Sequence, residues 1–235
     1  MKVALVHDDF IQNGGAENLF ATITELYPDA PIYTSLVDWS KIPRSVGKNR
    51  VRPSFMQKIP FGKKYFKLFL PLYPLAFESF NFDEYDLVIS SSTRFAKSII
   101  TKPQTLHIAY LNSLPRFLYD EIVLKNYLPK FLIIILNPLL RWLKKWDTAS
   151  SKRPDLIISN SKNVQEKIKK VYHLNSEVVY PFANTNFYKP PIIHNWQLKN
   201  KKYLLIVSRL VKWKNIDLAI KSCHSLKRNL IIVGS

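Results

Sequence analysis

Short apolar runs rich in branched residues alternate with helical patterns from the first residues onward, and that alternation constrains the fold more than any other feature. Val3–His7 is a near-continuous apolar strand, Asp8–Gly15 a loop, and Ala16, Leu19, Phe20, Ile23 and Leu26 the apolar face of a helix that Pro28 closes. Ile32–Leu36 follows as a second strand, so the chain opens as a βαβ unit and predicts a parallel sheet. The rhythm resumes with strands over Leu87–Ser90, Leu106–Tyr110, Leu156–Ser159 and Glu177–Tyr180. Phe95–Ile100 reads as a short helix or strand-like stretch, and Asn163–Tyr172 as a helix with Val164, Ile168 and Val171 inward. Ile122–Trp146, broken by Pro129 and Pro138, is either a packed crossover helix or a basic amphipathic segment.

Residues 181–200 carry three prolines and few apolar repeats, which marks a linker. Beyond it lie strands at 203–208 and 229–233. Between them is a helix with Asn215 as N-cap and Ile216, Ala219, Ile220, Cys223 and Leu226 on one face. Two strands and one helix cannot form a stable open sheet covered on both faces. The organisation expected is therefore a domain over 1–180, the linker over 181–200, and an incomplete second unit over 201–235.

The balance of charge is strongly positive, 35 Lys plus Arg against 17 Asp plus Glu, or +18. Such a chain favours anionic partners: nucleic acid, an anionic membrane surface or phosphorylated substrates. Residues 41–67 carry nine Lys or Arg and no acid, interleaved with Phe55, Phe61, Tyr65 and Phe66. That mixture suits an anionic bilayer surface, a basic, partly buried helical insertion or single-stranded nucleic acid. The lone Cys223 rules out an internal disulfide and suits a reducing compartment. No signal-peptide pattern opens the chain, and its longest apolar run, Phe131–Leu136, is far short of the ~18 residues of a spanning helix. The expectation is a cytoplasmic protein, peripheral on the inner face of the membrane if the basic-aromatic segments dock there.

Gly14-Gly15 stands at the mouth of the first helix, after Asp8 and before Glu17, in a chain with five glycines. Turn chemistry explains one glycine; an adjacent pair also lets backbone amides approach a phosphate or sugar. In the loop after Leu106–Tyr110, Arg116 and Asp120 could pair with each other or with a substrate's phosphate and hydroxyls, or Arg116 is a surface residue, as a lone arginine in a loop more often is. Asn160-Ser161 is an N-cap signal first and a ligand contact second. Arg209 and Lys214, in the turn between a strand and a helix, are either a phosphate grip or two solvated cations. The five histidines are scattered and no Cys pair exists, so no metal site is expected. G-x-G-x-x-G, Walker and G-x-S-x-G patterns are absent.

Six segments in order, VHDDFIQNGGAENLF, DLVISSSTRFAKSI, HIAYLNSLPRFLYD, PDLIISNSKNVQEKIKKVY, VVYPFANTNFY and YLLIVSRLVKWKNIDLAI, resemble the bacterial family 4 glycosyltransferases. The likeness is greatest to the mannosyltransferase-type enzymes of O-antigen, capsule and exopolysaccharide assembly. The resemblance implies a GT-B fold of two Rossmann-like domains, with a nucleotide-sugar donor such as a GDP- or UDP-hexose held between them. It implies transfer with retention to a lipid-linked or glycan acceptor, no metal or other cofactor, and no nucleic-acid partner. It places Gly14, Gly15 and Glu17 toward donor diphosphate and acceptor, Arg209 and Lys214 on the donor phosphates, and Arg116, Asp120, Asn160 and Ser161 along the cleft. Asn112 stands where the family's motif usually has a histidine; asparagine hydrogen-bonds a hydroxyl but takes up no proton at neutral pH. The family continues beyond the equivalent of Gly234-Ser235 with further βα units and acidic donor contacts. The isolated chain is thus expected to be inactive, with a separate chain supplying the rest, or to be a non-catalytic binding module.

Overall fold

The structure, a computed structural model, describes residues 1–66, 68–183, 185, 203–208, 210–211 and 214–234. The chain divides into two compact units, Met1–Phe182 and Ala183–Ser235.

The first unit is built on a sheet of seven strands, all parallel, in the order β3-β2-β1-β4-β5-β6-β7. These are β1 Val3–His7, β2 Ile32–Thr34, β3 Val51–Pro53, β4 Leu87–Ser92, β5 Leu106–Leu111, β6 Leu156–Ser159 and β7 Glu177–Val178. The predicted parallel α/β architecture is what the chain adopts. Ile32, Leu5, Ile89, Ile108 and Leu156 form one row across five strands. Helices α1 Gly15–Leu26, α2 Tyr73–Glu78, α3 Arg116–Tyr119, α4 Glu121–Tyr127, α5 Lys130–Ser150 and α6 Lys162–Tyr172 complete the unit.

Both faces of the sheet are covered, as parallel strands require. Leu5 and Ile32 pack beneath α1 with Phe10, Phe20 and Val37. Their neighbours Ala4, Val6 and Val88 face the other way, into a cluster with Met56, Tyr73, Phe77 and Phe95. A third cluster joins Ala109, Leu111 and Ile157 to Val164, Ile168 and Tyr172 of α6.

Four local readings change. Strand β3 lies inside the basic stretch 41–67, where no strand was expected; its Pro53 is tolerated because β3 is an edge strand. The buried stripe of α1 is Glu17, Phe20, Ala21 and Thr24, rotated from the apolar face because a glutamate and a threonine occupy inward positions. Phe95–Ile100 contains a single 3-10 turn at Ala96–Ser98. Pro138 does not end its helix: α5 runs through it for 21 residues.

The second unit pairs β8 Tyr203–Val207 with β9 Asn229–Val233 in parallel, alongside α7 Ile216–Ser225. Among its described residues Cys223 alone is buried, so the apolar face expected on α7 is largely uncovered. Asn215 occupies the N-cap position in left-handed conformation (φ 50°), and its side chain does not cap the helix. Most of the proposed linker, residues 184 and 186–200, lies outside the described residues. No helix among the described residues is long and apolar enough to cross a membrane.

Candidate functional site

The strand order reverses between β1 and β4, so the crevice beyond their carboxyl ends is where an open parallel sheet offers a ligand site. His7 and Ser91 are register partners there, and the residues that follow each strand interlock. Asp8 Oδ1 accepts the amides of Phe95 (2.8 Å) and Ala96 (2.7 Å), and its Oδ2 the amide of Arg94 (2.9 Å) and the hydroxyl of Thr93 (2.8 Å). The Thr93 amide and the Ser92 hydroxyl also donate to it. Burial pushes the Asp8 carboxyl up, but Arg94, His7 and these amides outweigh burial and hold it below the usual aspartate value. Asp8 therefore latches the loop after β4 to the end of β1.

Asp9, equally buried, pairs with the Arg94 guanidinium. Here burial dominates, with Asp8 and Glu17 adding like charge, and the carboxyl is raised despite Arg94 and His7. Arg94 also lies over the rings of Phe66 (5.7 Å) and Tyr73 (5.8 Å). His7 stacks on Phe20 at 4.7 Å, with its Nε2 4.0 Å from Glu17 Oε1.

Glu17 is buried and faces inward, where its Oε2 accepts the Gly14 amide (2.8 Å) and its Oε1 the Gln12 side chain (3.2 Å). Burial raises its carboxyl, and the facing His7 with the loop donors brings it below the usual glutamate value. The residue thus shapes the mouth of α1. The two glycines differ: a Cβ on Gly14 would stand 3.1 Å from Glu17 Oε2, whereas one on Gly15 meets nothing within 4 Å. Neither has a positive φ, so no backbone strain demands glycine at 15. An open position at a helix N-terminus is what a close-lying anion would use.

At the next two strand ends the structure brings three predicted residues together. Asn112 donates to Ser91 Oγ (3.0 Å) and its carbonyl accepts from Asn160 Nδ2 (2.9 Å). Ser161 donates to Asn160 Oδ1 (2.9 Å) and caps α6 through the Val164 amide (3.3 Å). Asp120 spends one carboxylate oxygen on the amides of Ile122 and Val123 as N-cap of α4, and Arg116 is exposed on α3. The Asp120 amide donates to the Arg116 carbonyl (2.8 Å), and among the described residues no side-chain ion pair joins Arg116 to Asp120. Lys214 is exposed in the second unit, and Arg209 lies outside the described residues.

The loop after β4 has a second anchor that sequence reasoning missed. Buried Lys97 pairs with buried Asp147 of α5 and donates to the Arg94 carbonyl (3.0 Å). Asp147 Oδ2 accepts the hydroxyls of Tyr119 (2.8 Å) and Tyr172 (2.6 Å). One carboxylate thus ties α3, α5 and α6 to the switch-point loop. A hollow of about 350 Å³ lined by Lys152, Asp155, Asn175 and Glu177 lies at the amino-terminal end of β6, the opposite end from that expected for a ligand. Among the described residues no group of three or more His, Cys, Asp or Glu side chains is placed to hold a metal.

His107, at the start of β5, is wholly buried with Nε2 2.9 Å from Ser90 Oγ. Burial, helped by Arg153 and opposed by Asp155, drives its pKa down to about 3. The unfolded chain takes up a proton near pH ~6.5 that the folded chain refuses. The stability from a neutral His107 is complete above ~6.5 and is lost as pH falls toward 3, at about 1.4 kcal/mol per pH unit. Denaturant unfolding between pH 7 and pH ~4 is expected to show a flatter acid limb for His107→Gln; parallel limbs would refute the assignment.

No family model matches the chain, and no curated protein matches its sequence. Solved structures do resemble it. HepE of Anabaena in complex with UDP and glucose superposes with a TM-score of 0.63 at 20% identity, covering 99% of this chain and 60% of that one. HepE in complex with UDP superposes with a TM-score of 0.60 at 17% identity and the same coverage. The 235 residues span 60% of the HepE chain, and at these identities the likeness is one of fold. The first unit has the fold of a Rossmann-like parallel-sheet domain of the GT-B kind, and the second is a single βαβ unit.

Proposed function

We propose that this chain belongs to a glycosyltransferase that moves a hexose from a nucleotide sugar to a lipid-linked or saccharide acceptor in bacterial surface-polysaccharide assembly. The observation that carries the reading is the polar rim at the β1/β4 switch point, with Gly15 open at the start of α1, in a fold shared with a protein that takes UDP and glucose. In this proposal Gly14, Gly15 and the amino end of α1 face the donor diphosphate and acceptor, with Glu17 holding the loop. Arg209 and Lys214 neutralise the leaving diphosphate, electrostatics aimed at developing charge. Asn112, Asn160 and Ser161 orient hydroxyls, and Arg116 and Asp120 line the approach. Retention, a mannosyl-type donor, the absence of a metal requirement and family 4 kinship follow from the sequence resemblance. Asn112 cannot relay a proton, so its part is limited to hydrogen bonding.

Because the chain spans 60% of HepE, the proposal assigns the donor-sugar contacts to polypeptide outside these residues, in cis or from a second chain. A second reading, a subunit or interaction module without turnover of its own, is favoured by the exposed apolar side chains Leu204, Leu205, Val207, Ile231 and Val233.

The chain is assayed with UDP- and GDP-linked hexoses and a lipid-linked saccharide, alone and with the polypeptide encoded beside it. Transfer only in the paired reaction is the expected result; transfer by the chain alone overturns the division of roles, and none in either leaves the module reading. In the paired reaction Gly15→Ala should cut transfer at least ~tenfold without destabilising the fold, since alanine fits the backbone there and meets nothing within 4 Å. Unchanged transfer by Gly15→Ala would remove the α1 mouth from the site.

A further inference from the structure

Helix α5 carries two apolar stripes, and only one is covered among the described residues. Leu143, Asp147 and Ser150 are buried, and Leu132, Leu136, Leu139 and Leu140 are half-buried along the same side. On the other side Phe131, Ile134, Ile135, Pro138 and Trp142 recur at i, i+3, i+4, i+7 and i+11, a helical stripe. Their exposures are 62% for Phe131, 71% for Ile134, 66% for Ile135 and 48% for Trp142. A stripe of this size left open on a folded chain marks an interaction surface.

Its charge identifies the occupant. From Ile122 to Trp146 there is no acidic residue, and Lys125, Lys130, Arg141, Lys144 and Lys145 bracket the apolar side chains. Placing two copies stripe to stripe would set these cations against each other, which opposes self-association. Bulky apolar side chains, a tryptophan at the margin and lysines long enough to carry their charge outward match the boundary between lipid headgroups and acyl chains. Phe66, in the acid-free stretch 41–67, and Trp146 of α5 pack against one core cluster. The stretch leaves Phe61 and Tyr65 exposed beside Lys63 and Lys64.

We propose that the outward stripe of α5, Phe131, Ile134, Ile135 and Trp142 with the flanking cations, docks this chain on an anionic lipid bilayer. The helix lies in the interface and does not span it. The carboxyl half of α5, pinned by Asp147 to Lys97, transmits that seat to the rim of the sheet. The proposal is independent of the transfer reading, because it rests on exposure and charge alone.

The test is flotation of the 235-residue chain with vesicles of phosphatidylcholine alone and of phosphatidylcholine with phosphatidylglycerol at about 3:1, at low and high salt. Expected is binding to the anionic vesicles that weakens with salt, and a bound/free ratio at least ~tenfold lower for Phe131→Ser/Ile134→Asn/Ile135→Asn. Far-UV circular dichroism and the melting temperature check that the triple variant folds. Independently of it, Arg141→Gln/Lys145→Gln should lose binding only on anionic vesicles. Brominated lipid should quench a fluorescence component that Trp142→Phe removes. The proposal is overturned by equal binding to neutral and anionic vesicles, or by a folded triple variant that binds as the parent does. It is equally overturned by a dimer that the triple variant abolishes, or by tighter binding to single-stranded nucleic acid than to vesicles at matched salt.

Discussion

Asp8→Ala is expected to destabilise the protein by about 5 kcal/mol, enough to unfold a chain of ordinary stability. The single carboxylate collects the amides of Thr93, Arg94, Phe95 and Ala96 together with two hydroxyls, all across a separation of more than 80 residues. Alanine leaves these donors buried or half-buried with no acceptor, and each unsatisfied group costs roughly 1–3 kcal/mol before any rearrangement. Asp8→Asn keeps one oxygen and turns an amide NH2 toward the remaining donors, so it should fall between the parent and alanine. Guanidinium unfolding of the three proteins gives the order directly. A cost below ~1 kcal/mol for alanine would mean that the loop after β4 is held by other contacts.

Asp147→Ala should cost about 3–5 kcal/mol and lower the melting temperature by about 10 °C in a unit of this size. Removing the carboxylate strands a buried ammonium, Lys97, takes the acceptor from Tyr172 and leaves Tyr119 only Thr148 Oγ1 at 3.1 Å. Lys97→Met should cost less, since Asp147 then keeps two phenolic donors. The pair Lys97→Met/Asp147→Leu should recover much of the loss, because apolar replacement of a buried pair is often close to neutral. Additive costs in that double variant would show that the two residues do not act as one unit.

The strands that run through the centre of the sheet were legible because their apolar runs are continuous: β1, β4, β5 and β6 all fall where the residues place them. β3 was not, since Val51-Arg52-Pro53 sits in a basic stretch and becomes a strand only by pairing with Ile32–Thr34. The face of α1 misled for a related reason. Hydrophobic periodicity counts Glu17 as outward, whereas His7 and the Gly14 amide give it reasons to turn in. At the site, Gly14-Gly15 and Asn160-Ser161 carry local signals, being adjacent small or polar residues at helix starts. Asp8 with Thr93–Ala96, and Lys97 with Asp147, carry none. Each partner is ordinary in its own stretch, and the pairs exist only once the strand order is known.

The strand order also sets a timetable. Leu5 of β1 pairs with Ile89 of β4, 84 positions later, so the middle of the sheet cannot close until more than a third of the 235 residues has been made. The first βαβ unit is complete at Thr34, so at about 5–20 residues per second it waits roughly 3–11 s on the ribosome with one edge of β1 unpaired. During that wait Ala4, Leu5 and Val6, all later buried, are open to other nascent chains. Early synthesis is therefore the interval in which this protein most needs a chaperone, and slowing translation before residue 87 should raise the aggregated fraction.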